Sequence, residues 1–199
     1  MGLNINLKFA ACALLCALSA PGSAAVAWDE ALAGDFANNG LAPTPVTVAP
    51  GSNVIKGSTG NSGQGIDRDY FTFNVPAGAV LSAIWLLDNT SVSGDVSFIG
   101  IQAGPQLTVT PNGGGAQNLL GFAHYGRDQI GQNLLPAMAI QFAGSLPSGA
   151  YSVWVQDTGG VVDYGFDFVI TAVAEPGAGV LMGAGLLGLA VARRRMGAG

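Results

Sequence analysis

The chain has 199 residues, room for one ordinary domain once its two ends are set aside. Between Trp28 and Glu175 only Lys56, Arg68 and Arg127 stand against all 12 acidic residues, a net charge of −9. So acidic a body, with no basic stripe, repels phosphate backbones and excludes nucleic acid as a partner; both cysteines, Cys12 and Cys16, precede it, which excludes disulfides, thiolate metal sites and cysteine nucleophiles.

Residues 1–27 read as a secretory signal. Lys8 leads into an apolar run over residues 9–20, Pro21 and Gly22 break the helix, and Ala25-Val26-Ala27 sets small residues at a cleavage point ahead of Trp28. Signal peptidase is therefore an expected partner, with Ala25 and Ala27 as the residues it reads. Residues 28–53 read as a loose segment with a short helix between Asp29 and Phe36, and residues 52–65 as a Gly/Ser/Asn-rich loop.

Residues 54–173 show short apolar or alternating runs cut by Gly, Pro, Asn and Asp, the pattern of an all-β sandwich or jelly roll. In RDYFTFNV, Phe71, Phe73 and Val75 alternate with polar neighbours and are expected in the core. VLSAIWLL is nearly continuous in apolar character and reads as a central strand covered on both faces. GDVSFIGIQA, QLTVT and NLLGFAHY supply further strands. Near the end, Tyr151, Val153 and Val155 share a face opposite Trp154, and Tyr164, Phe166, Phe168 and Ile170 share another, with Thr158-Gly159-Gly160 turning between them.

Catalytic signatures are sparse in this body. His124 is the one histidine of the chain and reads as a surface residue, and no nucleophile elbow, zinc-protease helix or phosphate loop is present. The expected body is therefore not an enzyme. Two binding features are expected instead. Asp67 and Asp69, with Asp157 and Asp163 flanking the last turn, are candidate calcium ligands because Ca²⁺ takes hard oxygens from clustered carboxylates. Trp154, between the polar Ser152 and Gln156, is a candidate platform for stacking on a polysaccharide ring. A secreted hydrolase, with two carboxylates converging in a cleft, is the remaining class.

The run Asp67-x-Asp69-Tyr70-Phe71-x-Phe73-x-Val75-Pro76-Ala77-Gly78, with the later Pro147-Ser148-Gly149-Ala150-Tyr151-Ser152-Val153-x-Val155 and Gly160, resembles the bacterial pre-peptidase C-terminal (PPC) domain. That resemblance implies a non-catalytic β-sandwich appended to secreted proteins, some relatives of which bind calcium or matrix polymers.

The chain closes on a three-part tail over residues 174–199. Glu175-Pro176 comes first, an apolar run over residues 177–192 follows, and Arg193, Arg194 and Arg195 form a basic end. Those 16 residues span about 24 Å as a helix, somewhat short of a hydrocarbon core of about 30 Å, which suits a transient transmembrane helix. The arginines stop translocation on the cytoplasmic side. In order and spacing the tail resembles the PEP-CTERM sorting signal of Gram-negative bacteria, with Ala174 where that family has proline. The resemblance implies an exosortase-type processing enzyme as partner, at least transient membrane contact, and delivery to the cell surface or extracellular polysaccharide of a biofilm.

Overall fold

The computed structural model describes residues 24–88, 90–91, 97–111, 118–138, 142 and 144–173. Nine strands carry the fold, with little helix among the described residues. The chain runs through β1 (Ala25–Asp29), α1 (Glu30–Ala33), β2 (Thr44–Pro45), β3 (Gly51–Asn61), β4 (Ile66–Val75), β5 (Ala79–Leu86), β6 (Ser97–Ala103) and β7 (Gly121–Tyr125). A 3-10 turn at Arg127–Gln129, then α2 (Leu135–Met138), β8 (Gly149–Gln156) and β9 (Val162–Ala172) complete it.

The strands form two layers. One holds β5-β9-β3, with β1 added parallel on the far side of β3; the other holds β4-β8-β6-β7, with the short β2 parallel to β4. Among the described residues, the strand pairing between them is Gly60↔Asp67 and Asn61↔Ile66, where β3 turns into β4. Between the layers sits one apolar core, as the alternation in β4, β8 and β9 requires. Phe168 of β9 meets Phe71 and Phe73 of β4 edge-on at 5.8 and 5.4 Å, and Tyr125 of β7 meets Phe166 at 5.3 Å. Such edge contacts add roughly 0.5–1.5 kcal/mol each to simple area burial.

Several local expectations are corrected. Residues 52–65 are not a loop: most of them form β3, the strand between β9 and β1, and the expected boundary at 53/54 falls inside it. Small residues serve here because neighbours approach closely. At Gly60, with φ 138°, a side chain would strike the Gly160 carbonyl. Residues 28–53 are likewise not loose, since β1 pairs with β3 and Trp28 stacks on the buried Phe36 at 5.1 Å.

VLSAIWLL forms β5, but at the end of its layer rather than its centre. Its apolar run has two causes. A register shift between Leu81 and Ala83 switches faces, and bridges from Leu81 to Leu146 and from Trp85 to Asn133 cover its outer edge. QLTVT is a connection rather than a strand. Its backbone is held by Gln102, whose side chain accepts from the Thr108 N–H at 3.0 Å and donates to its hydroxyl at 2.8 Å, and by Gly40, whose carbonyl accepts from Leu107. Leu107 and Val109 thereby cap a second apolar cluster on the outside of the second layer.

No described helix is long and apolar enough to cross a membrane. The apolar run 9–20 of the expected signal, the run 177–192 expected as a transmembrane helix, and Glu175, Pro176, Arg193, Arg194 and Arg195 lie outside the described residues.

Candidate functional site

Alternation along β4 does not stop at its aromatic residues. If Phe71 and Phe73 face inward, so do Asp69 and Asp67, and β9 likewise sends Tyr164 inward two residues before Phe166. At this end of the core the two layers therefore meet through polar groups. The Tyr164 hydroxyl donates to Asp69 Oδ2 at 2.6 Å, and Asp69 is 0% exposed. Its other oxygen, Oδ1, is buried without a hydrogen-bond partner.

Glu30 closes the site from the first layer. Asp29 ends β1 and caps α1, its Oδ1 accepting the Ala31 N–H at 3.1 Å. That cap turns Glu30 back across β3, where Oε2 accepts the Ser58 N–H at 2.8 Å and Oε1 the Phe36 N–H at 3.0 Å. Gly57 leaves the space this needs. A methyl group there would lie 2.5 Å from the Tyr164 hydroxyl and 2.8 Å from the Glu30 carboxyl carbon. Gly57→Ala is accordingly expected to cost about 1–3 kcal/mol as overpacking. Thermal denaturation checks it; an unchanged midpoint would show that the packing at this wall is loose.

One oxygen each from Glu30, Asp35 and Asp69 lies within 4.8 Å of the others. Glu30 and Asp35 border a cleft of about 690 Å³ whose walls also carry Asp29, Asp67 and Asp163, with Lys56 alongside. Burial pushes the Asp69 carboxyl up to about 9; the charges of Glu30, Asp67 and Asp35 push the same way, while the Tyr164 hydroxyl pulls back. Burial pushes Glu30 up to about 7, with Asp35 adding to it and the Phe36 and Ser58 amides opposing. Asp67 is raised by burial and then by the charge of Asp35. Burial also holds the Tyr164 hydroxyl well above its ordinary range, and Asp69 reinforces this. Near neutral pH the site therefore keeps a proton on Asp69, and an entering cation would have to displace it.

Of the four aspartates expected as calcium ligands, Asp67 and Asp163 line this cleft, and Asp69 is buried behind its wall, bonded to the lining Tyr164. Asp157 does not join them. It is buried at the end of β8, accepting from the Ser97 hydroxyl at 2.5 Å and from the Gly159 N–H at 2.6 Å, and so caps the turn into β9. Glu30, Asp35 and Tyr164 are the residues the sequence reading missed. The inward alternation of β9 points to Tyr164, but nothing in the local sequence marks the half-buried Glu30 as a member of the site.

Trp154 is no stacking platform. It is 6% exposed, 4.6 Å from Phe98 and 6.0 Å from Tyr70, beneath Leu107, Val109 and Leu119. Trp85, expected in the core, is instead 41% exposed. His124 is exposed, beside Phe98 and Phe122. Ala25 and Ala27 belong to β1, which continues through a bulge between Val26 and Trp28.

Comparison with protein-family models, curated proteins and solved structures finds no match to this chain.

Proposed function

We propose that this chain is an exported, non-enzymatic β-sandwich protein of the PPC-like kind, sorted by an exosortase-type system to the surface or polysaccharide matrix of a Gram-negative bacterium. The carrying observation is the tail: Glu175-Pro176, an apolar run and three arginines begin within a few residues of the last strand. Signal peptidase and the sorting enzyme are its processing partners. The body suits such an arrangement. β9 runs from the acidic cleft at Asp163 to Ala172, about 30 Å at roughly 3.3 Å per residue. Ala25 lies level with Phe168, partway along β9, through Asn53. A body held at the Ala172 end turns its acidic cleft outward.

The test is a chain lacking residues 174–199, produced beside the full chain. Surface retention of the shortened chain, measured by antibody labelling of intact cells, is expected to fall severalfold as the body passes into the medium. Equal labelling of the two would defeat the sorting role of the tail.

One observation favours a second reading, in which the cleft binds calcium. Three carboxylates converge, and Asp69 brings a fully buried oxygen with no partner of its own. Hard oxygens so placed suit Ca²⁺. Calorimetric titration of the full chain with calcium is expected to give a saturable heat; no heat and no rise in melting temperature at millimolar calcium would overturn it.

A further inference from the structure

We infer that the export cut falls after Ala24, so that the mature protein begins at Ala25 and keeps β1 whole; this rests on the export reading above. Small residues at the positions three before and one before a cut are what signal peptidase requires. Ala25 and Ala27 meet that requirement, but so do Gly22 and Ala24. The fold distinguishes them.

β1 pairs Ala25 with Asn53 and Val26 with Val54, and resumes with Trp28 opposite Ile55. A cut after Ala27 would delete the first two pairings and leave that stretch of β3 without partners on one edge. It would also place a charged ammonium on half-buried Trp28, opposite a fully buried isoleucine. Asn53 makes the loss more serious, since its side chain is buried and fully engaged. It donates to the carbonyls of Ala49, Gly51 and Phe168 and accepts from the Ala49 N–H. Stripping the strand beside it would open that network to water. A cut after Ala24 removes nothing that the sheet uses.

The test is N-terminal sequencing of the protein recovered from producing cells. Ala25 as first residue is the expected result. A start at Val26 or Trp28 overturns the inference and leaves export standing, whereas retention of Met1 overturns the export reading itself. Two substitutions separate the sites in the full chain, read by pulse labelling as conversion of precursor to mature form. Ala24 is exposed, so Ala24→Phe acts on processing rather than packing; it is expected to slow conversion about tenfold or more by filling a position that must be small. Ala27→Phe is expected to leave the conversion rate unchanged. The opposite pattern would place the cut after Ala27.

Discussion

Replacing Phe168 by alanine is expected to cost about 3–5 kcal/mol, a large share of the roughly 5–15 kcal/mol that holds a domain folded. Phe168 is fully buried in β9, hydrogen-bonded in register between β3 and β5, and its ring faces Phe71 and Phe73 of the opposite layer. It therefore ties the layers together at the middle of the core, where neighbouring strands cannot collapse into the vacated space. Urea denaturation measures the effect as a midpoint lowered by about 1–3 M at unchanged slope. A shift below about 0.5 M would mean that the layers do not pack through this ring.

The second large effect concerns pH. An unfolded chain gives up the Asp69 proton near the ordinary 3.8, whereas the folded chain holds it to about 9; for Glu30 the corresponding values are 4.5 and about 7. Between those limits the folded state binds protons the unfolded state lacks, so stability is greatest at the acid end and falls as pH rises. The direction is opposite to ordinary acid unfolding, in which carboxylates held charged in the native state must be protonated. Without added calcium, the melting temperature is expected to be higher near pH 5 than near pH 9.

Asp69→Asn separates this effect from general charge repulsion across an acidic body. Asparagine keeps an oxygen for the Tyr164 hydroxyl and cannot ionise, so the variant is expected to lose most of the pH slope and to melt above the wild type near pH 9. Millimolar calcium is expected to raise the melting temperature of the wild type near pH 8 and to leave that of the variant unchanged. An equal slope in both proteins would contradict the buried, protonated Asp69.

Those parts of the fold with period-two contrast were readable in advance. Phe71, Phe73 and Val75, then Tyr151, Val153 and Val155, then Tyr164, Phe166, Phe168 and Ile170 all lie in the core. β3 escaped because its glycine, serine and threonine carry no contrast; its strand character comes from the neighbours on either side. Trp154 was rightly placed opposite the core face of β8. What local pattern could not supply was the connection laid over that outer face, where Leu107 and Val109 cover the ring and the Ser152 hydroxyl bonds the Gly104 carbonyl at 2.9 Å.

The site divides in the same way. Asp67 and Asp69 stand out by spacing, but their placement inside the layers follows from continuing the alternation of Phe71 and Phe73 toward the start of β4. Asp157 fits a ligand pattern by position alone, and its oxygens are taken by Ser97 and Gly159. Glu30 reaches the site only through the tertiary path from β1 across β3, a path that depends on the absence of a side chain at Gly57.

Export and tail processing are tested most directly by the intact mass of the protein recovered from the surface of producing cells. A mass lacking the signal segment and Arg193, Arg194 and Arg195 is the expected result. A mass retaining Met1 together with those arginines would contradict both.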